Sequence, residues 1–220
     1  MTDQDPKATK DRILDAAEER FADEGFSTSL RSITAHAGVN LAAIHYHFGS
    51  KEALLESVFV RRLAPINRER IELLDAIESS PTGARSVERI LEAFVGPALR
   101  LYNAGDEVGP RLMRLCGRIL AEPSDDVQEL FLAQFKEVAG RFTAAFRRAL
   151  PELPAEELFW RIHFVIGAMA HTMAGSHRLR FLSGGLCETG DADATIRRLV
   201  DFLAAGLRAP VGTDVAGGRS

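Results

Sequence analysis

A chain of 220 residues, 46% hydrophobic and 26% charged, has an ordinary globular composition and is long enough for one large or two small domains with a sizeable core. Its 31 acids against 27 bases give a net charge of −4. That balance excludes non-specific coating of nucleic acid and a polybasic membrane patch, but not a DNA-binding surface, where the local field decides.

Helical spacing dominates and no alternating strand is found, so the expected fold class is all-α. Asp5-Pro6 reads as an N-cap followed by proline at the first helical position, with Ile13, Leu14, Ala17 and Phe21 on one apolar face and Gly25 closing the helix. Ser29 is placed to cap a second helix that turns Leu30, Ile33 and Ala37 inward and ends at Gly38. Asn40 is placed to cap a third, carrying Leu41, Ile44 and Phe48, and Ser50 opens a long fourth through about Ile77. Proline and glycine breaks then separate helical stretches at 84–104, 108–121, 124–149, 155–182 and 191–207, about nine helices in all. The seventh of these carries the stripe Val127, Phe131, Phe135, Val138, Phe142 and Phe146, and the ninth carries Ile196, Leu199, Val200 and Leu203. Residues 1–4 and 209–220 are expected to be mobile tails.

Cys116 and Cys187 stand far apart with no Cys-x-x-Cys pair and read as reduced thiols. No basic-then-apolar segment opens the chain, and the most apolar run, 164–170, is too short to span a bilayer. A cytoplasmic protein with no membrane partner is expected.

The stretch from Gly25 to Lys51 contains no Asp or Glu in an otherwise acidic chain, and holds a short helix, a glycine turn and a second short helix ending in His45, Tyr46, His47 and Phe48. A helix-turn-helix aimed at a phosphate backbone needs that layout, because acids there would repel DNA. The ordered positions Gly25-Phe26, Ile33-Thr34, Ala37-Gly38-Val39, His45-Tyr46-His47-Phe48 and Ser50-Lys51-Glu52, with the preceding ILDAAEERFADEGF, resemble the N-terminal domain of the TetR family of bacterial one-component regulators. The close resemblance covers roughly the first quarter of the chain; beyond it, only length and helical character agree. It implies a DNA-binding domain at 7–67 with its motif at 29–48, a ligand-binding and dimerisation domain at 68–208, and a tail from 209. Two departures from the family pattern stand out: Ala42-Ala43 replace the frequent Gly-Thr, and His45 replaces the first of two aromatic residues. The alanines favour apolar contacts such as thymine methyl groups.

Within the motif, Thr28 and Ser29, with the free amides opening the second helix, are expected to hold a phosphate, with Arg31 nearby. Asn40, Leu41, Ala42, Ala43, His45 and Tyr46 lie on or near the recognition helix, and Tyr46 and His47 offer polar tips to the backbone. Lys51 adds a cation at the start of the fourth helix. Phe26, Ile33, Val39, Ile44 and Phe48 form the small core that fixes the helix crossing. His45 and His47 are two apart and point to different faces, against a metal site. No nucleophile and base are paired by spacing, so neither an enzyme nor a cofactor is expected.

The run from Leu158 to Cys187 also lacks acids, and its first half is apolar on nearly every face. Burial on two sides, one against a partner chain, accounts for this and points to a homodimer. The interface candidates are Phe164 and Ile166, with Leu199 and Leu203 on the ninth helix as the resemblance implies. Arg100, Tyr102, Arg114, His163 and His171 fall within otherwise apolar helices and are the candidate polar contacts for a small-molecule effector. The run 39–51, with RRLAPINRER after it, looks like family members that respond to a fatty acid or acyl-CoA. The resulting expectation is a ligand-responsive repressor that binds a pseudo-palindromic double-stranded DNA operator as a dimer. The rival reading, a helical ligand carrier or enzyme that only imitates the motif, would show no salt-dependent duplex affinity.

Overall fold

Residues 6–80, 83–105 and 107–211 are described by a computed structural model of the chain. Every regular element among them is helical: α1 (Pro6–Glu24), α2 (Leu30–Ala37), α3 (Leu41–Phe48), α4 (Lys51–Glu78), a 3-10 turn at Gly83–Arg85, α5 (Val87–Tyr102), α6 (Val108–Leu120), α7 (Asp125–Ala133), α8 (Lys136–Ala149), α9 (Ala155–Leu182) and α10 (Ala192–Arg208). The expected cap at Asp5, the tail at 1–4 and the tail from 212 onward lie outside the described residues. No described helix is long and apolar enough to cross a membrane, and Cys116 and Cys187 are free thiols.

Ten α-helices among the described residues replace the nine expected, because the stretch 124–149 is two helices. The chain tightens at the break, where the amides of Gln134 and Phe135 reach the carbonyls three residues back. Asn67 of α4 donates its side-chain amide to the Gln134 carbonyl at 2.7 Å. The break divides one apolar stripe between two cores: Phe131 stacks edge-on against Phe59, whereas Phe142 meets Phe94.

The chain forms two compact units, Met1–Asn67 with Asp106–Lys136, and Arg68–Gly105 with Glu137–Ser220. The units divide inside α4, between 67 and 68, and neither is continuous in sequence, since α6 and α7 belong with the N-terminal helices. Sequence order alone does not carry this return.

In the first unit α1 packs on α2, α3 and α6. Its core includes Ile13, Phe21, Ile33, Ile44, Leu54 and Phe59, and a run of ring contacts joins Phe21, Phe26, Phe59, Phe131 and Phe135. Glu18 of α1 is fully buried and accepts from Arg61 at 2.6 Å and Arg62 at 2.7 Å, while Arg61 also reaches Asp15 at 2.8 Å. Arg118 of α6 caps the end of α1 by donating to the carbonyls of Ala22 and Asp23.

In the second unit α5 packs on α10 and α9. Arg70 of α4 is buried there, donates to the Phe94 carbonyl at 2.7 Å, and lies 4.8 Å from the centre of the Phe94 ring. Pro97 follows three residues on, and its missing N–H would have served the neighbouring Ala93 carbonyl. Desolvation pulls the Arg70 guanidinium down to about 10. Arg161 of α9 is likewise buried and donates to the carbonyls of Gly206, Leu207 and Ala209, at 3.1, 2.9 and 2.7 Å, closing the end of α10. Leu199 and Leu203 are only 8% and 6% exposed and sit in this same core on α10. Their side chains are already covered by their own chain, which removes them as residues that meet a partner.

Arg161→Met should lower the stability of the protein by about 2–3 kcal/mol, because charge-assisted hydrogen bonds to three terminal carbonyls are lost. Denaturant unfolding measures it, and an unchanged midpoint would contradict the capping role. A second outcome concerns acid. Hydrogen bonds from Arg208, aided by the amide at the start of α5, hold the Glu88 carboxyl down at about 2 instead of 4.5. A depressed carboxyl stabilises the fold above its unfolded value, and that contribution is lost as pH falls from about 4.5 through about 2. Both groups are well exposed, so solvent screening keeps the effect below about 1 kcal/mol. Glu88→Gln should therefore flatten the stability profile only within this acid window, and a parallel profile would refute the linkage.

Candidate nucleic-acid interface

The acid-free stretch folds as two short helices joined by a left-handed glycine. Ser29 caps α2 by accepting from the Ser32 amide at 3.1 Å, and Asn40 caps α3 by accepting from the Ala43 amide at 3.0 Å. Between them Gly38 has φ 64° and ψ 39°, a conformation that costs about 1–2 kcal/mol for a residue with a Cβ. Ser50 then accepts from the Ala53 amide at 3.1 Å and starts α4. Phe26, Ile33 and Ile44 are buried beneath the motif, with Val39 and Phe48 half-buried at its edge, as the crossing of the helices requires.

The outer face is assembled from Ser29, Arg31, Asn40, Leu41, Ala42, His45 and Tyr46, all exposed; Ala43, His47 and Lys51 are half-buried. Tyr46 is 82% exposed, an unusual position for an aromatic ring with no covering neighbour in its own fold. Its ring meets the His47 ring edge-on at 4.9 Å. His45 directs Nδ1 at the Gly49 carbonyl at 3.1 Å. A carbonyl only accepts, so Nδ1 carries the proton and the neutral ring presents Nε2 as an acceptor. In that form His45 suits a base-edge amino group, and it donates to phosphate only when doubly protonated.

Thr28 departs from expectation. Its side chain is buried and its hydroxyl donates to Glu24 at 3.1 Å, so it is not free to hold a phosphate. Glu24 is in turn held by Arg20, whose hydrogen bond keeps the carboxyl below its usual range. The same arginine donates to Nδ1 of His36 at 3.2 Å, and His36 donates through Nε2–H to Glu19 at 2.7 Å. Thus the acids that border the motif are turned into contacts within α1 and α2. Glu52 is the other neighbouring acid; the amide at its own helix start and Ser50 hold it below the usual carboxylate range. Lys10 was missed by sequence reasoning: its ammonium lies 5.7 Å from the centre of the Phe48 ring, at the end of α3. Only the tertiary packing brings it there.

The expected effector contacts do not converge. Arg100 is exposed and lies 3.7 Å from Glu92 and 3.4 Å from Asp193, while Tyr102 is half-buried. Arg114 lies in the other unit and faces Asp23 at 3.6 Å. His163 and His171 are exposed on α9. The cations that do enter the core of the second unit are Arg161 and Arg70, of which Arg70 carried no distinguishing signal within its charged helical run.

Residues 13–58 match the bacterial regulatory proteins of the tetR family, and residues 92–206, more than half of the chain, match the tetracyclin repressor-like C-terminal domain. The regulatory protein RaaS of Mycobacterium tuberculosis is 51% identical over 43 residues, 20% of this chain and 20% of RaaS. The chain thus spans about a fifth of the length of that relative. Among solved structures, FadR of Bacillus subtilis in complex with stearoyl-CoA aligns with a TM-score of 0.65 at 16% identity, over 89% of this chain and 97% of FadR. A SmeT–triclosan complex aligns with a TM-score of 0.60 at 20% identity, over 93% and 96% of the two chains. At these identities the structural likeness speaks for the fold, and the matched domains speak for descent: the chain belongs to the TetR family of bacterial regulatory proteins.

Proposed function

We propose that the protein is a ligand-responsive transcriptional repressor that binds a pseudo-palindromic DNA operator as a homodimer. The observation that carries this reading is the exposed face of α2 and α3, free of acids as far as Lys51, with Tyr46 standing out from it. Such a face meets phosphates through Ser29, Arg31, His47 and Lys51 and base edges through Asn40, Leu41, Ala42, Ala43, His45 and Tyr46. Lys10, next to Phe48, adds a further cation.

Homodimerisation is supported by α9, which leaves Phe159, Trp160, Phe164 and Ile166 exposed, the first and third at 62% and 60%. A soluble chain seldom exposes so many large apolar groups on one helix unless another surface covers them. For the effector, the second unit offers an apolar interior with two buried cations, Arg161, which closes the end of α10, and Arg70, which suits an amphipathic molecule with an anionic group. The related folds were seen with stearoyl-CoA, which joins an apolar acyl chain to an anionic headgroup, and with triclosan. Effector binding releases DNA by favouring conformers in which the two recognition helices no longer match the operator.

Tyr46→Ala and Lys51→Ala should weaken operator binding by about 1–3 kcal/mol each, with helicity unchanged. Lys51→Ala should also reduce the salt dependence by about one counterion per contact. Titrations at two salt concentrations decide, and two unaltered variants would defeat the docking face. Phe164→Glu should split the dimer and with it abolish tight operator binding, because two linked heads bind far better than one. Sedimentation of a wild-type monomer at micromolar concentration would remove the dimer from this account. Stearate and stearoyl-CoA titrated into free and operator-bound protein test the switch. A compound that releases DNA must lose the same factor of affinity in the operator complex, and release without that loss means competition for DNA.

A further inference from the structure

Leu41, Ala42, His45 and Tyr46 make the exposed side of α3, in two pairs one turn apart, and the exposed Asn40 precedes them at the cap. The first pair offers only carbon. An asparagine amide, a neutral imidazole and a tyrosine hydroxyl each hold both a donor and an acceptor, so sequence leaves the polarity of this surface open. The structure closes it at two positions. Oδ1 of Asn40 accepts from the Ala43 amide at 3.0 Å, which leaves Nδ2, a donor, for any other contact. Nδ1 of His45 is spent on the Gly49 carbonyl at 3.1 Å, which leaves Nε2 of the neutral ring as an acceptor. Gly49 holds φ 80° and ψ −58°, a conformation that residues with a Cβ rarely adopt, so the carbonyl that sets this tautomer stands at a position suited to glycine. The Tyr46 hydroxyl keeps both roles and expresses no preference. Of these five side chains, His45 alone is fixed as an acceptor.

In the major groove adenine offers a donor at N6 and cytosine at N4, whereas guanine offers acceptors at N7 and O6, and thymine an acceptor at O4 beside a methyl group. Nε2 gains a hydrogen bond from the first two and sets lone pair against lone pair with the others. We propose that His45 determines specificity at one base pair of each operator half-site, selecting adenine or cytosine through the exocyclic amino group and rejecting guanine and thymine. Every base pair carries one amino group and one carbonyl oxygen in this groove, so His45 reads the orientation of the pair. A·T is told from T·A and C·G from G·C, while A·T and C·G are both accepted. This rests on the operator reading above and assigns the chemistry of a contact which that reading leaves open.

Removing single groups from each side tests it. Operator duplexes selected by the full chain are resynthesised with a purine lacking the 6-amino group at each adenine in turn, and with a pyrimidinone lacking the 4-amino group at each cytosine. At one half-site position the parent should lose about tenfold in affinity. His45→Phe keeps a ring, drops both nitrogens and should bind the modified and unmodified duplexes equally, a comparison that cancels the weaker pairing of the altered base. His45→Arg only donates and should prefer guanine at that position. Helicity should stay at the parent value in both variants, because the side chain is exposed. A protein that selects no sequence removes the operator reading and this contact together. Selected operators in which no amino group matters to the parent, or in which His45→Phe loses as much as the parent, overturn the assignment to His45 and leave operator recognition standing. A preference for guanine or thymine that disappears in His45→Phe means the ring donates, and overturns it as well.

Discussion

The buried carboxylate of Glu18, held by Arg61 and Arg62, is the interaction on which the exposed face of α2 and α3 depends. It joins α1 to α4, and α2 and α3 rest on α1. One oxygen of Glu18 has no hydrogen-bond partner, so the carboxylate relies on its two arginines to offset its desolvation. Removing either would leave a buried charge under-compensated, a loss of about 3–5 kcal/mol in comparable pairs. The small helices carry too few residues to hold their own geometry: isolated segments of eight residues are marginal in water. The clamp and the ring contacts from Phe21 to Phe135 supply what the local sequence cannot.

The chemistry of the exposed face follows from how its polar groups are used up. Ser29, Asn40 and Ser50 spend acceptor capacity on helix starts; Ser29 and Asn40 keep a donor to offer outward, while the Ser50 hydroxyl turns to Glu52. Glu24 and Glu52, the acids at the margins, are engaged by Arg20 and by a helix-start amide, which leaves Arg31, Lys51 and Lys10 to set the local sign of the field. The net charge of −4 is therefore compatible with an anionic ligand at this one surface. In the second unit the same economy recurs. Arg70 and Arg161 are buried cations that satisfy backbone carbonyls next to a proline and at a helix end.

Much of the fold was legible because its signals are local. Ser29, Gly38, Asn40, Gly49 and Ser50 mark helix ends through their own backbone and side-chain geometry, and those helices begin and stop where the residues indicate. The stretch 155–182 likewise emerges as one helix. What was not legible is tertiary. The apolar stripe from Val127 to Phe146 has unbroken helical spacing, and nothing in it shows that Phe131 and Phe142 serve different cores, or that Asn67 stabilises the break between them. Hydrophobicity cannot say whether Leu199 and Leu203 face their own α5 or a second chain. Thr28 reads as a phosphate donor until Glu24 is seen to take its hydroxyl. Arg114 and Arg100 look equivalent in sequence, yet α6 packs on α1 and Arg114 belongs to the first unit.

The central claim is sequence-specific recognition of duplex DNA by this face in a two-fold symmetric assembly. Its most direct test is selection from a pool of random duplexes by the full chain, with sequencing of the bound fraction over successive rounds. The account predicts enrichment of an inverted repeat whose half-sites lie about one helical turn, or a whole number of turns, apart. A bound pool with the same sequence statistics as the input, or none retained at low salt, would contradict it.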